Sequence, residues 1–218
     1  MHLVIVTCAV ETTTSSSCFS VPDRILQIKN TIYTIQHRIP NPYIVILETG
    51  SATEEQKKEL QAFVHEIHSN VLTTVNKNTG EATMMYNYLQ SDAFKKIFDT
   101  IETINKVSGR YFLNDKFNFN RYPLDTLIIK HRRGDIGEHL YETRYYRFPI
   151  SHFKYFFEKL HYIITSENNY LAAGDVEHLF YDHVFFPMDK TQYILGFTDT
   201  DKIGVAGWVS GDGTYIED

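Results

Sequence analysis

Near the middle of the chain an apolar run ends in a crowd of polar groups, Lys106, Ser108, Gly109, Arg110 and Tyr111, within the stretch INKVSGRYFLND (104–115). Two cations and a hydroxyl so close together suit an anion. Lysine and arginine neutralise phosphate charge, and hydroxyls with backbone amides hold phosphate oxygens. Two other stretches carry complementary chemistry. Ala9-Val10-Glu11 leads into a hydroxyl-rich run from Thr12 to Ser17, and VILETGS sets the carboxylate of Glu48 beside Gly50 and Ser51. Further on, AGDVEHLFY (173–181) holds two carboxylates, Asp175 and Glu177, of the kind that could take the proton of an attacking hydroxyl.

Each stretch also has an ordinary reading. A Ser/Thr run is often a solvated loop, and ETGS can be a turn in which Gly50 supplies unusual dihedrals and Thr53 caps a helix. Lys106 can face solvent at a strand end, with Gly109 a simple bend. Asp175 reads equally well as a helix N-cap, which leaves Glu177 as the better base. Taken singly, the ordinary account is favoured at the first three places. Their combination on one sheet edge is what points to a ligand.

The elements that must position these groups follow from periodicity. HLVIVTCAV (2–10) and PYIVILETGS (42–51) are short, β-branched and apolar, which predicts buried strands. Between them Ile25, Ile28, Ile32, Ile35 and Ile39 recur at helical spacing, with Pro22 near the start and Pro40 at the close. A helix from Thr53 through Leu60, Phe63, Val64 and Ile67, then a strand NVLTTVN (70–76), complete a β-α-β-α-β order. That order predicts a parallel sheet with right-handed crossovers. One or two helices over 80–101 and a strand ETINKVSGRYF follow.

The second half predicts strands at LDTLIIKHRR and HLYETRYYRFP, helices at 151–165 and 175–186, and late antiparallel strands at TQYILGFT and IGVAGWVS. The fold class is thus α/β: one Rossmann-like domain over 1–218, a mainly parallel central sheet flanked by helices, with a small antiparallel C-terminal elaboration. Residues 1–115 form the nucleotide-binding half and 116–218 the acceptor-side half. In such sheets ligands sit beyond the carboxyl ends of the strands.

Composition narrows the function. With 218 residues, 43% hydrophobic and 14% aromatic, the chain suits a packed core. A net charge of −6 argues against a dedicated nucleic-acid binder. Cys8 and Cys18 give neither a disulfide framework nor metal-ligand spacing. The apolar N-terminus lacks a basic flank and a small-residue cleavage pattern, and no run is long enough to span a bilayer. A cytoplasmic location is therefore expected. His131-Arg132-Arg133-Gly134-Asp135 reads as a solvated hairpin turn, or alternatively as a contact to an anionic acceptor. Tyr141, Tyr145, Tyr146 and Phe148 read as core residues, or alternatively as a platform for a sugar ring. The glycine-rich end GVAGWVSGDGTYIED reads as a terminal hairpin, or alternatively as a lid.

The order of elements, with VILETGS-AT after the second strand, resembles glycosyltransferases of the GT-A type. NKNTGEATMMYNYL (76–89) resembles a family segment in which an Asn and a Gly precede a helix bearing another Asn, here Asn78, Gly80 and Asn87. KVSGRYFLND resembles a segment of bacterial and large-virus sugar transferases that stands where other members keep an Asp-X-Asp metal motif. AGDVEHLFY matches the place of an acidic base in inverting members. Residues 2–186 take part in the resemblance. It implies a transferase moving a sugar from a nucleotide-diphosphate donor, a UDP-sugar, to a glycan, glycolipid or glycoprotein hydroxyl with inversion. It implies donor contacts at Ala9, Glu11, Glu48, Gly80, Lys106, Ser108 and Arg110, and a base at Glu177 or Asp175. The sequence departs from the family at the metal motif. Either Asp115 holds Mn²⁺ or Mg²⁺, or Lys106 and Arg110 replace the metal; the second is preferred because two cations would repel it. The rival readings are a nucleotidyltransferase, weakened by the lack of any glycine in AVETTTSSS, and a non-catalytic nucleotide-sugar or glycan-binding module.

Overall fold

The computed structural model of the chain describes residues 1–11, 17–49, 52–69, 77–133, 139–165 and 202–218. Its centre is a six-stranded sheet built from β1 (His2–Cys8), β2 (Pro42–Glu48), β3 (Glu66–Ser69), β4 (Thr103–Ser108), β6 (Ile128–Arg133) and β7 (His139–Pro149). The strand order is β3-β2-β1-β4-β7-β6. The first four strands run parallel, and β7 is antiparallel to both β4 and β6. The second sheet is antiparallel and joins β5 (Tyr111–Leu113), β8 (Val205–Trp208) and β9 (Tyr215–Glu217). The predicted α/β architecture, with a mainly parallel sheet and a small antiparallel addition, is what is observed.

Alternation along the strands explains how both sheet faces are covered. Leu3 and Ile5 of β1 belong to one apolar cluster with Val45, Leu47, Met85, Phe94 and Phe156. Val4 and Val6 belong to the other, with Ile28, Ile32, Ile44, Ile46 and Leu113. The first cluster draws on α3 (Lys77–Leu89), α4 (Asp92–Ile97) and α5 (Phe153–Thr165); the second draws on α1 (Val21–Arg38) and α2 (Glu54–Gln61). A strand buried on both faces must be apolar throughout, which is why β1 and β2 read as unbroken hydrophobic runs.

Helix α1 begins where Ser20 and Asp23 close a reciprocal capping box, and it ends at Ile39, whose backbone is extended. It carries the isoleucine stripe to the sheet and also holds β5. Thr31 Oγ1 donates to the Tyr111 carbonyl oxygen at 2.7 Å, and Leu113 N donates to Thr34 Oγ1 at 3.1 Å. The expected continuous strand through 102–112 therefore breaks after Ser108, and the chain turns at Gly109-Arg110 to run along the helix.

Other boundaries differ from expectation. Helix α2 stops at Gln61 and does not reach Ile67, which instead lies in β3 and pairs with Ile46 of β2. The Gln61 side chain donates to the carbonyls of Val64 and His65 and so closes the turn. The predicted strand at 70–76 lies outside the described residues. The helical region at 80–101 is split at Gln90-Ser91, where Ser91 caps α4. His131 to Arg133 belong to β6, paired with β7, and not to a hairpin turn. The glycine-rich end forms the antiparallel β8–β9 hairpin, as its simpler reading predicted. No helix among the described residues is long and apolar enough to cross a membrane.

Candidate functional site

Strand register fixes what meets at one edge. Thr7 of β1 faces Ser108 of β4, Cys8 faces Glu48 of β2, and Glu48 faces Ser69 of β3. These are the carboxyl ends of four parallel strands. The chain order β1-β2-β3 builds to one side of β1 and β4 lies on the other, so the crevice between β1 and β4 is the topological switch point where ligands of open α/β sheets bind. Ala9, Glu11, Glu48, Lys106, Ser108 and Arg110 lie at or next to these strand ends, and Gly80 lies in the first turns of α3. The structure therefore brings the predicted donor-side residues to one edge.

Their individual settings differ. Glu48 is 1% exposed. Its Oε1 accepts from Val10 N at 3.2 Å, and its Oε2 accepts from Ser69 Oγ at 3.2 Å. It fixes the turn after β1 from behind. Burial, reinforced by the charge of Glu48, pushes the neighbouring Cys8 thiol well above its ordinary pKa, so this cysteine is no nucleophile.

Lys106 is 0% exposed. Its Nζ lies 2.7 Å from Glu81 Oε2 and donates to Ser108 Oγ at 2.7 Å and to the Thr143 carbonyl oxygen at 2.5 Å. Glu81 Oε2 also accepts from Thr7 Oγ1 at 3.0 Å. The ammonium thus lies beneath the floor of the crevice. Tyr146 packs 5.8 Å from it, with a hydroxyl pKa driven far up by burial and then by the Glu81 charge.

Arg110 is an accessible cation. It is half-buried and makes no hydrogen bond or ion pair among the described residues. Its guanidinium lies 5.7 Å from the centre of the Tyr111 ring, and that of Arg144 lies 5.5 Å from the same ring. Arg144 is only loosely paired, with Nη2 3.4 Å from Glu142 Oε1. Behind them Arg24 is buried, donating to the Ala9 carbonyl oxygen at 2.8 Å and to Ser210 Oγ at 3.1 Å. Burial, and then the nearby charge of Arg110, lower the Arg24 pKa. Cys18 N also donates to the Ser210 carbonyl oxygen at 3.0 Å, so the β8–β9 hairpin is tied to the segment entering α1.

Gly109 explains itself by contact. A Cβ there would lie 2.9 Å from Cys8 Cβ and 3.3 Å from Ile28 Cγ1, and Gly109 N donates to the Thr7 carbonyl oxygen at 2.8 Å. Only glycine lets the end of β4 close against β1 at this point.

Asp115 needs correction. Its side chain is 98% exposed and ion-paired with Arg38, the last residue of α1, at the opposite end of that helix from the crevice. The chain turns back along α1 after Gly109, which carries Asp115 away; it does not join the strand ends as a metal ligand. No group of three or more His, Cys, Asp or Glu among the described residues could hold a metal ion. Tyr145, Tyr146 and Phe148 are buried core residues, not an exposed sugar platform. Asp175 and Glu177, with Gly50 and Ser51, lie outside the described residues.

Three residues at this edge escape a reading of the sequence by motif: Glu81, Arg144 and Arg24. Arg24 alone left a signal, since it falls with Gln27 and Thr31 on the buried side of α1 among the isoleucines.

No family model matches the sequence, and no curated protein does. Among solved structures, one similar to this chain is the crystal structure of a glycosyltransferase involved in the glycosylation of the major capsid of PBCV-1. It is 10% identical, the match covers 89% of this chain and 81% of that one, and the TM-score is 0.49.

Proposed function

We propose that the chain is a glycosyltransferase that takes a sugar from a nucleoside-diphosphate donor, a UDP-sugar, and passes it with inversion to a hydroxyl of a glycan, glycolipid or glycoprotein. The observation that carries this is Arg110, a guanidinium with no ion-pair partner among the described residues at the switch point of a parallel sheet, with Arg144 near the same tyrosine ring. Charge developing on a departing diphosphate needs fixed positive groups beside it, and guanidinium forks match phosphate geometry. In this reading Arg110 and Arg144 take the diphosphate. The turn Ala9–Glu11, shaped by Glu48, borders the nucleoside, and the start of α3 at Gly80 borders the donor. Glu177, or Asp175 two residues earlier in the chain, removes the acceptor proton. Lys106, which the sequence suggested as a direct diphosphate contact, acts from beneath.

Thermal-shift screening against UDP- and GDP-sugars, with and without Mn²⁺, tests the reading. A ligand at about 100 times its Kd adds about 2.7 kcal/mol of stability. For a chain of this length that raises Tm by roughly 5–10 °C. Stabilisation without Mn²⁺ is expected. A shift seen only with Mn²⁺ would transfer the leaving-group role from the arginines to a divalent cation. No shift with any nucleoside-diphosphate ligand would refute the transferase reading.

A further inference from the structure

Among the described residues, the acceptors around Lys106 Nζ include Glu81 Oε2, Ser108 Oγ and the Thr143 carbonyl oxygen. An ammonium has three N–H donors and no acceptor capacity, so every one of these bonds runs outward from the lysine. The carboxylate partner of the ammonium stands at 2.7 Å. Ser108 Oγ is therefore an acceptor here, and its own hydrogen must point elsewhere. Its cross-strand neighbour Thr7 reaches the same ion pair, donating to Glu81 Oε2. The Ser108 hydrogen meets no acceptor among the described residues, and Ser108 is half-buried at the open end of β4, just before Gly109 and Arg110.

Stability alone is a poor account of this arrangement. Buried ion pairs seldom outperform a well-packed apolar pair. Glu81 Oε1 is also buried with no hydrogen-bond partner among the described residues, a cost that an apolar side chain would not carry. What the pair does achieve is orientation: Glu81 and Thr143 hold the ammonium beside Ser108, to whose oxygen it donates.

We propose that Lys106 and Glu81 are positioning residues that make the Ser108 hydroxyl a directed, polarised donor to a phosphate oxygen of the nucleoside-diphosphate ligand. The inference rests on the reading of the site given above and adds to it a further group that reads the phosphate. A hydroxyl whose oxygen already accepts from a cation is a stronger donor through its hydrogen, because linked hydrogen bonds polarise one another. Lys106 thus reaches the ligand through the serine without touching it.

Calorimetric titration of the full chain with uridine diphosphate tests this, using S108A, S108T, K106M/E81Q and the triple variant K106M/E81Q/S108A. The double variant removes both buried charges together, so neither is stranded. S108A is expected to weaken binding about 10-fold, the loss of one hydrogen bond to a charged group. S108T, which restores a hydroxyl, is expected to stay within about 3-fold of wild type. K106M/E81Q should weaken binding, and adding S108A to it should cost less than about 2-fold more, since the two act through one bond. Equal affinity of wild type and S108A would overturn the donor role. Full additivity of K106M/E81Q with S108A would overturn the coupling. Should K106M/E81Q fail to fold, S108A against S108T decides: loss in S108A with recovery in S108T supports the proposal, and equal loss in both overturns it. Failure of wild type to bind uridine diphosphate at all is a separate result, which refutes the nucleoside-diphosphate reading itself.

Discussion

Replacement of Gly109 by alanine sets two effects of opposite sign against each other. The backbone of Gly109 is not in the left-handed region, which only Gly204 and Gly213 among the described glycines occupy. A Gly→Ala change in a compatible backbone stabilises by about 0.4–1 kcal/mol through the unfolded chain. Against this, the new methyl would stand 2.9 Å from Cys8 Cβ, 3.3 Å from Ile28 Cγ1 and 3.4 Å from the Thr7 carbonyl oxygen. Cys8 Cβ cannot swing aside, because it is fixed to the end of β1. Overpacking of this kind costs about 1–3 kcal/mol. The net is a destabilisation of about 1–2 kcal/mol, or a fall in Tm of roughly 2–8 °C for a chain of this size. Urea unfolding at constant m measures it. Gly211, where a Cβ would meet nothing within 4 Å, is the internal control: G211A should be neutral or slightly stabilising. G109A as stable as wild type would refute the close-packing argument, and with it the claim that this glycine fixes the distance between β1 and β4.

Arg110→Ala should separate binding from folding. The side chain makes no hydrogen bond or ion pair among the described residues, so stability should change by no more than about 0.5 kcal/mol, while uridine-diphosphate affinity measured by calorimetry falls at least about 10-fold. Unchanged affinity would remove Arg110 from the site. At the alkaline end, Tyr43 is pushed up to about 12, by burial and then by the hydrogen bond it donates to Glu66. Burial likewise raises Tyr88, Tyr145 and Tyr146. A raised folded-state pKa means that stability is fully present below the unfolded tyrosine value near 10 and declines as pH climbs through the folded value. Tm should therefore be flat up to about pH 10 and fall steadily above it. Ionisation of these tyrosines near pH 10 without loss of structure, followed by their absorbance, would contradict this.

Much of the frame was legible because local and tertiary demands agree. The isoleucine stripe of α1, its Ser20 cap, and the apolar runs of β1 and β2 each point to one answer. Where they disagree, the tertiary contact prevails. Leu60, Phe63, Val64 and Ile67 keep helical spacing, yet Ile67 gains more by pairing with Ile46 on β2, and the helix ends early. At the site, residue type was legible and depth was not. Lys106 and Arg110 look alike in sequence, but the lysine precedes the turn and is captured by Glu81, while the arginine follows it and stays accessible. Asp115 looked close to both until the run of β5 along α1 carried it to the far end of the helix. The partnership of Glu81 with Lys106 depends on how α3 lies across β4, which no local pattern encodes.

The pairing of Tyr111 with Gly207 also sets an order of events during synthesis. β5 leaves the ribosome long before β8, and until β8 arrives one side of it is an open strand edge beside Arg110. Such an edge pairs readily with the wrong chain. The close approach at Gly207, where a Cβ would lie 2.3 Å from the Arg110 carbonyl oxygen, makes the rightful partner hard to imitate. Arg110 is therefore backed only when β8 and β9 dock. A nascent chain stalled before residue 205 would carry the parallel sheet without a finished crevice.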